Sequence, residues 1–265
     1  MNVKRLQTAI RHTRRLPELG KCLASMQAAP GIIASYVGLR SLPLPSTVRF
    51  RDGLAYHLQE YYDLETLWQI HFHGVYPLRP SDRIIVDAGA NIGLFACWAA
   101  SRNPQATIFA VEPSPTSFGR LSEHIRMNGF EHRIVAHQVA LSASHSMAWL
   151  AASPIASQMM QVHDENTGDG IAIETMSLAE LLDRIPEERV DYLKMDIEGS
   201  EYAVLMAATA ADLRRIRRMS IEYHLPPAGS SYGKDALIRH LSASGFTSIV
   251  DRDRAAYGML HASRE

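Results

Sequence analysis

One stretch decides the fold: Val86-Asp87-Ala88-Gly89-Ala90-Asn91-Ile92-Gly93. It begins at the end of the short apolar run 84–86 and leads into a segment with helical periodicity that extends to about residue 103. The pattern predicts a strand ending in an acid, a tight turn with two glycines, and a helix. Gly89 would let backbone approach a ligand where a Cβ atom would collide. Asp87 would place a carboxylate where a cationic ligand or the loop amides can donate hydrogen bonds to it.

The turn differs from the dinucleotide-binding fingerprint. Counted from Gly89, the pattern G-x-G-x-x-G would require glycine where the chain has Asn91 and Leu94. An NAD-binding loop is therefore disfavoured. An acid beside the turn also suits a cationic amino acid or a sulfonium better than a phosphate.

Around this stretch, apolar runs alternate with segments of helical periodicity. Strands are predicted at 84–86, 107–111, 134–141, 190–195, 219–223 and 246–250, and helices from about 94 to 103 and at 115–128, 178–184, 201–208 and 236–242. Because the runs are largely apolar, they indicate a parallel sheet covered on both faces. The fold class is α/β, a doubly wound and mostly parallel sheet. Ligands of such sheets bind at the carboxyl ends of the strands, where the strand order reverses.

The first 80 residues have a different pattern and are predicted to form a mainly helical appendage to the domain 81–265. A helix is expected from Leu64 with Asp63 as its N-cap, and Pro80-Ser81-Asp82 is predicted to be a hinge. The first 21 residues carry six Lys or Arg against one acid and are interpreted as a solvated helix, with an organelle presequence or a contact with an anionic surface as the alternative. The uncharged segment 22–39 contains Pro30-Gly31, so no membrane span is predicted.

Composition argues against several classes of protein. The chain has 27 Lys or Arg against 28 Asp or Glu, so no global basic charge indicates nucleic acid. Its two cysteines are too few for a zinc cluster or a disulfide scaffold, and a cytoplasmic location is expected.

A second acid follows the second predicted strand. Glu112 lies 19 residues beyond Gly93, the spacing at which an acidic side chain takes the hydroxyls of a ribose. Both acids would lie at strand ends, where ligands of such sheets bind. A ligand site therefore explains them better than a structural turn with an exposed Glu112 does.

Acids also follow the fourth predicted strand. Asp196 would emerge beside the glycine turn, and Glu198, two residues on, would share a face with it if the chain stayed extended. Together they could orient a substrate hydroxyl or accept its proton. A purely structural role is the alternative, because acids in the first turn of a helix stabilise its positive end. This explanation fits Glu201 better than Glu198.

Glu222 and His224 lie two apart at the end of the next strand. An imidazole is a usable general base near neutral pH, so His224 is a candidate catalytic residue with Asp196 and Glu222. We predict no resident metal. Asp196, Glu222 and His224 remain an alternative mixed-ligand site for a divalent cation.

These stretches resemble the FkbM type of class I S-adenosylmethionine (AdoMet)-dependent methyltransferases. Residues 86–93 are similar to motif I of that family, and Glu112-Pro113 to its ribose-binding strand end. Leu193-Lys194-Met195-Asp196-Ile197-Glu198-Gly199-Ser200-Glu201 resembles its Leu-Lys-Ile-Asp-Val-Glu-Gly-x-Glu signature, with conservative changes at Met195 and Ile197. Ile221-Glu222-Tyr223-His224 is similar to its acidic fifth strand end. The resemblance covers about residues 50–250.

The resemblance implies a Rossmann-like, seven-stranded sheet with an antiparallel last strand, AdoMet as cofactor, and methylation of a hydroxyl on a small-molecule or glycan acceptor. It assigns the methionine part of AdoMet to Asp87, Gly89, Asn91 and Gly93, and the ribose to Glu112. Asp196, beside the same loop, is a further expected cofactor contact. The N-terminal segment and residues 151–175 lie outside the cofactor core and are expected to shape the acceptor pocket.

Two other function classes stay open. A nucleic-acid methyltransferase would be expected to carry an Asn/Asp-Pro-Pro-aromatic motif after the fourth strand, where this chain has Asp196-Ile197-Glu198-Gly199. The basic run Arg214, Arg215, Arg217 and Arg218 is interpreted as a solvated helix end. A non-catalytic module would bind AdoMet or a partner without transferring a methyl group.

Overall fold

Contacts divide the 265-residue chain into two units, Met1–Pro77 and Leu78–Glu265. The structure is a computed structural model and describes residues 16–151, 161–163, 170–224, 232–254 and 257–264. Within these ranges no helix combines the length and the apolar character needed to cross a bilayer. Residues 1–15, most of the basic N-terminal segment, lie outside the described residues.

The first unit contains helices and a small antiparallel sheet. Its elements are α1 (Leu16–Ser25), α2 (Ala29–Tyr36), β1 (Ser46–Arg49), β2 (Ala55–Leu58) and α3 (Tyr61–Trp68), which continues as the π-helical turn Gln69–His73. Helix α3 begins three residues earlier than predicted. Asp63 is its third residue rather than its N-cap, and the Asp63 carboxylate accepts the backbone N–H of Glu60 at 3.1 Å.

The second unit carries two sheets. The strands are β3 (Ile84–Ala88), β4 (Thr107–Val111), β5 (Ile134–His137), β6 (Ala140–Leu141), β7 (Ser146–Ala151), β8 (Gln161–His163), β9 (Ile171–Met176), β10 (Tyr192–Met195), β11 (Arg218–His224), β12 (Thr247–Asp253) and β13 (Tyr257–Ser263). The helices are α4 (Leu94–Arg102), α5 (Pro115–Met127), α6 (Leu178–Asp183), α7 (Glu201–Ala207), α8 (Ala210–Arg214) and α9 (Lys234–Ala243).

The predicted seven-stranded, mostly parallel sheet is confirmed. Its order is β12-β13-β11-β10-β3-β4-β5, and β13 runs antiparallel to both of its neighbours. All residues of β3 and β10 are buried, as expected of central strands covered on both faces. The strand order reverses at β3, because the chain proceeds from it to β4 and β5 on one side and later to β10 and β11 on the other. The switch point therefore lies between the ends of β3 and β10.

A second, four-stranded sheet of order β6-β9-β7-β8 is formed largely by residues between 141 and 178, where the sequence analysis predicted no strand. Strand β7 (Ser-Met-Ala-Trp-Leu-Ala) is dominated by residues with weak strand preference, so its pairing with β9 could not be predicted from propensity. Residues 152–160 and 164–169, inside the expected acceptor segment, lie outside the described residues.

Candidate active site

The glycine loop, residues 89–93, leaves the carboxyl end of β3 and starts α4. Gly89, Asn91 and Gly93 all have positive φ, at 77°, 48° and 84°. A Cβ atom on Gly89 would collide with the backbone carbonyl of Asp196, and one on Gly93 would contact the side chain of Leu121. The approach of the chain after β10 is thus sufficient to require Gly89, and the ligand approach that the sequence suggested stays a prediction.

Asp87 lies beneath this loop. Its side chain is fully buried, and its Oδ1 lies 3.0 Å from Nζ of Lys194, a residue of β10. The same Nζ donates a hydrogen bond to the carbonyl oxygen of Gly89 at 2.5 Å. Burial raises the pKa of Asp87, and the charge of Lys194 opposes that rise. The pair links two central strands to the loop, while direct contact of Asp87 with a cofactor stays a prediction.

Glu112 directly follows β4 and forms a hydrogen bond with the glycine loop. Its two carboxylate oxygens accept the backbone N–H groups of Asn91 at 2.8 Å and Ser114 at 2.9 Å. Burial raises the pKa of Glu112 to about 7, against the lowering effect of these two hydrogen bonds. A carboxylate has roughly four acceptor sites, so it keeps capacity for the hydroxyls of a ribose. That contact remains a prediction.

Asn91 supplies a test of whether the loop fits AdoMet. Its Oδ1 atom is buried and has no hydrogen-bond partner among the described residues. A buried polar atom without a partner is uncommon in a folded protein and calls for an explanation. An amide oxygen accepts hydrogen bonds, so it suits the ammonium group in the methionine part of AdoMet.

A turn follows β10; it carries Asp196 and Glu198 and leads to Glu201, the first residue of α7. Glu198 and Gly199 have positive φ, at 54° and 106°, so the chain is not extended after Asp196 as the sequence analysis assumed. The fully buried carboxylate of Glu201 stabilises this turn by accepting the backbone N–H groups of Ile197 and Gly199, both at 3.1 Å. Glu201 is therefore more than a favourable charge at the start of α7.

His224 completes the cluster from the end of β11. Its Nδ1 lies 3.0 Å from Oε1 of Glu201, and its Nε2 lies 3.4 Å from Oε2 of Glu198. Burial lowers the pKa of His224, but the hydrogen bond and charge of Glu201, with the charges of Glu198 and Asp196, outweigh it and raise that pKa to about 9. The result is an imidazole held at Nδ1 by a buried acid.

The acids around His224 repel one another. Burial and the charge of Asp196 raise the pKa of Glu198 to about 7 and that of Glu222 to about 8. The potential metal ligands with atoms within 4.8 Å of one another are Asp196, Glu198 and His224. Glu222, which the sequence analysis placed in the alternative metal site, is not in that group; the turn brings Glu198 there instead.

The structure thus brings the predicted residues to one edge of the sheet. The glycine loop leaves β3 there, and Glu112 follows β4. Asp196, Glu222 and His224 lie beside them, at the ends of β10 and β11. Two participants were missed. Lys194 is a cation inside an otherwise apolar strand, and Glu201 lies three residues after Glu198. The lysine was a usable signal, because a buried charge needs a partner.

A family model described as the methyltransferase FkbM domain matches residues 87–247, more than half of the chain. The chain belongs to the FkbM methyltransferase family. The match spans the glycine loop, Glu112, the 193–201 signature and His224. The protein is an AdoMet-dependent methyltransferase, and the predicted family, fold class and enzyme class are confirmed.

Three relatives illustrate the range of this methyltransferase family. Methyltransferase sdnD of Sordaria araneosa is 30% identical over 67% of this chain and 78% of its own length. The 31-O-demethyl-FK506 methyltransferase FkbM of Streptomyces tacrolimicus is 28% identical over 68% of this chain and 78% of its own. The hexuronic acid methyltransferase AglP of Haloferax volcanii is 32% identical over 54% of this chain and 56% of its own.

Proposed function

We propose that this methyltransferase methylates a hydroxyl oxygen of a sugar, a glycan or a secondary metabolite, and that His224 accepts the hydroxyl proton. The observation that carries the proposal is the contact between His224 Nδ1 and the buried carboxylate of Glu201. If the Nδ1 proton is donated to Glu201, the Nε2 atom of the neutral imidazole is left as the acceptor.

The chemistry requires a base of this kind. A hydroxyl is a weak nucleophile, and removal of its proton by a positioned side chain accelerates reactions by about 10²–10⁴-fold. Asp196 is adjacent in space, at the end of β10 beside the glycine loop, and in this proposal it orients the acceptor hydroxyl. A raised pKa makes His224 a stronger base, although a smaller fraction of it is neutral at pH 7.

The methyl donor in this proposal is AdoMet, whose sulfonium supplies an activated methyl group for in-line displacement. Asn91 Oδ1 and the Glu112 carboxylate hold it at the glycine loop, and Asp87 acts on that loop through Lys194. Holding two reactants in line supplies roughly 7–11 kcal/mol of the barrier in well-oriented systems.

The names of two relatives support the acceptor class. They state that the Streptomyces protein methylates 31-O-demethyl-FK506 and that the Haloferax protein methylates a hexuronic acid. We extend to this chain only the feature that those acceptors share, a hydroxyl-bearing small molecule or sugar.

The first test is thermal unfolding of the purified chain with S-adenosylhomocysteine and, in parallel, with NAD. At about 100 times its dissociation constant a ligand stabilises by about 2.7 kcal/mol, which is a rise of several degrees in Tm for a chain of this size. We expect the rise with S-adenosylhomocysteine alone. A rise with neither ligand would contradict the assignment of the glycine loop.

The second test is methyl transfer from labelled AdoMet to a panel of sugars, glycans and polyketide alcohols. We expect Asp196→Ala to abolish turnover while the shift with S-adenosylhomocysteine largely survives. Transfer to RNA alone would instead identify a nucleic-acid methyltransferase. Cofactor binding with no transfer to any acceptor would identify a non-catalytic module.

A further inference from the structure

A polar cavity of about 920 Å³ lies at the edge of the sheet opposite the candidate active site. It opens where β10 and β11 begin: Asp191 directly precedes β10, and Arg218 is the first residue of β11. At the other ends of these strands lies the candidate active site: Asp196 follows β10, and Glu222 and His224 lie within β11, at its end. Strand β11 alone spans about 20 Å, so one ligand of ordinary size cannot fill both sites.

Arginine dominates the lining of this cavity, which we call the arginine cavity. Five arginines contribute to it: Arg79, Arg214, Arg217, Arg218 and Arg264. The sequence analysis interpreted the run 214–218 only as a solvated helix end. That explanation does not extend to Arg79, in the segment before β3, or to Arg264, after β13.

Two carboxylates balance only part of this charge. Asp82 pairs with Arg218 at 2.5 Å, with both side chains buried, and Asp191 pairs with Arg217 at 3.5 Å. For the other three arginines, no carboxylate partner lies within ion-pair distance among the residues that the structure describes. Three positive charges are therefore left to face the cavity or its rim.

The other lining groups add hydrogen-bond donors to this positive charge. Hydroxyls line the same cavity at Ser81, Ser244, Thr247 and Ser263. The guanidinium group matches the geometry of phosphate oxygens and donates paired hydrogen bonds to them. A volume of this size is within the range of small-molecule pockets, roughly 300–1,000 Å³.

We propose that the arginine cavity binds a small molecule carrying a diphosphate group. One phosphate group carries about −1.5 to −2 charges near neutral pH, so three unbalanced cations exceed the charge of a single phosphate and suit two linked ones. Because the cavity is separated from the glycine loop by the length of the strands, this ligand is neither the methyl donor nor the acceptor being methylated.

Calorimetric titration at constant ionic strength tests the proposal. The probes are inorganic pyrophosphate, ADP, inorganic phosphate and sulfate, and the proteins are the wild type and the variant Arg79→Gln/Arg264→Gln. These two arginines are chosen because neither belongs to a helix end or to a carboxylate pair. We expect pyrophosphate to bind more tightly than phosphate or sulfate, and the double variant to weaken it by at least about ten-fold.

Two controls make the result specific. Arg126→Gln, an exposed arginine at the end of α5 and outside the cavity, should leave pyrophosphate affinity unchanged. Binding of S-adenosylhomocysteine should be the same in the double variant as in the wild type, which shows that the fold and the cofactor site are intact.

The outcomes separate the possible ligands. Equal affinity for pyrophosphate and ADP would show that the diphosphate alone is recognised, and tighter binding of ADP would show that the cavity also accepts a nucleoside; both support the proposal. Pyrophosphate binding no tighter than sulfate binding, or equal in wild type and double variant, would overturn it. So would an RNA gel shift that requires Arg79 and Arg264 without any pyrophosphate binding.

Discussion

Nζ of Lys194 lies 3.0 Å from Oδ1 of Asp87 and donates a hydrogen bond to the carbonyl oxygen of Gly89, so one buried ammonium joins β10, β3 and the glycine loop. Burial lowers the pKa of Lys194, but the charges and hydrogen bond of its neighbours, Asp87 foremost, outweigh burial and raise it. The lysine is therefore charged at neutral pH, and it compensates a carboxylate that has no access to water.

Replacing Lys194 by methionine should destabilise the fold strongly. The substitution keeps most of the side-chain volume but leaves Asp87 as a buried charge without its partner, and breaking such a pair costs about 3–5 kcal/mol. Urea unfolding measures the loss. The matched control is Lys234→Met, which breaks an exposed pair with Asp253 and should change stability little. If Lys194→Met unfolds at the same urea concentration as the wild type, the pair does not have this structural role.

Gly89→Ala should damage both stability and cofactor binding. Gly89 and Gly129 both have positive φ, but a Cβ atom has open space at Gly129 and meets the Asp196 carbonyl at Gly89. Gly129→Ala should therefore show only the conformational cost of about 1–2 kcal/mol. Gly89→Ala should cost more and also reduce the affinity for S-adenosylhomocysteine. Equal losses of stability in the two variants would show that close approach to Asp196 is not what requires this glycine.

Much of this architecture could be predicted because it depends on local patterns. Apolar runs between helical segments indicate a parallel sheet, and a parallel sheet brings its strand ends to one edge. The predicted neighbourhood of Asp196, Glu222 and His224 follows from that rule alone. Strand β13 was missed because Tyr-Gly-Met-Leu-His-Ala-Ser has weak strand propensity and is buried only through pairing with β11 and β12.

The contacts that organise the site could not be predicted in the same way. The role of Lys194 depends on Gly89, 105 residues away, and that of Glu201 depends on His224 in another strand. Sequence spacing predicts where the strands end, but it does not predict the direction in which a side chain of the following turn points. For this reason the group of possible metal ligands contains Glu198 beside Asp196 and His224, and not Glu222. Glu198 has positive φ, and the turn brings it there.

Methyl transfer should increase with pH and level off near the pKa of His224. The proposed base must be neutral to accept a proton, and Glu201, Glu198 and Asp196 hold its pKa at about 9. Below that value kcat/KM should rise about ten-fold per pH unit. Glu201→Gln removes the nearest negative charge, so the plateau should begin at lower pH. Histidine titration by NMR should show the same downward shift.

The exposed residue Glu131 provides the control for this profile. Glu131→Gln should leave both the pH profile and the His224 titration unchanged. A Glu201→Gln enzyme with the wild-type profile and reduced activity at every pH would show that Glu201 only supports the turn and does not act through His224.

Methyl transfer should persist after removal of divalent cations. Asp196, Glu198 and His224 have the geometry of a metal site, but at neutral pH the protonated His224, with its pKa raised to about 9, already provides the positive charge among these acids. A divalent ion would have to displace that proton before it could bind the imidazole. Turnover measured after dialysis against EDTA, with and without added Mg²⁺ or Mn²⁺, should therefore be the same. Activity that is lost in EDTA and restored by either ion would make His224 a metal ligand, and the hydroxyl proton would then need a different acceptor.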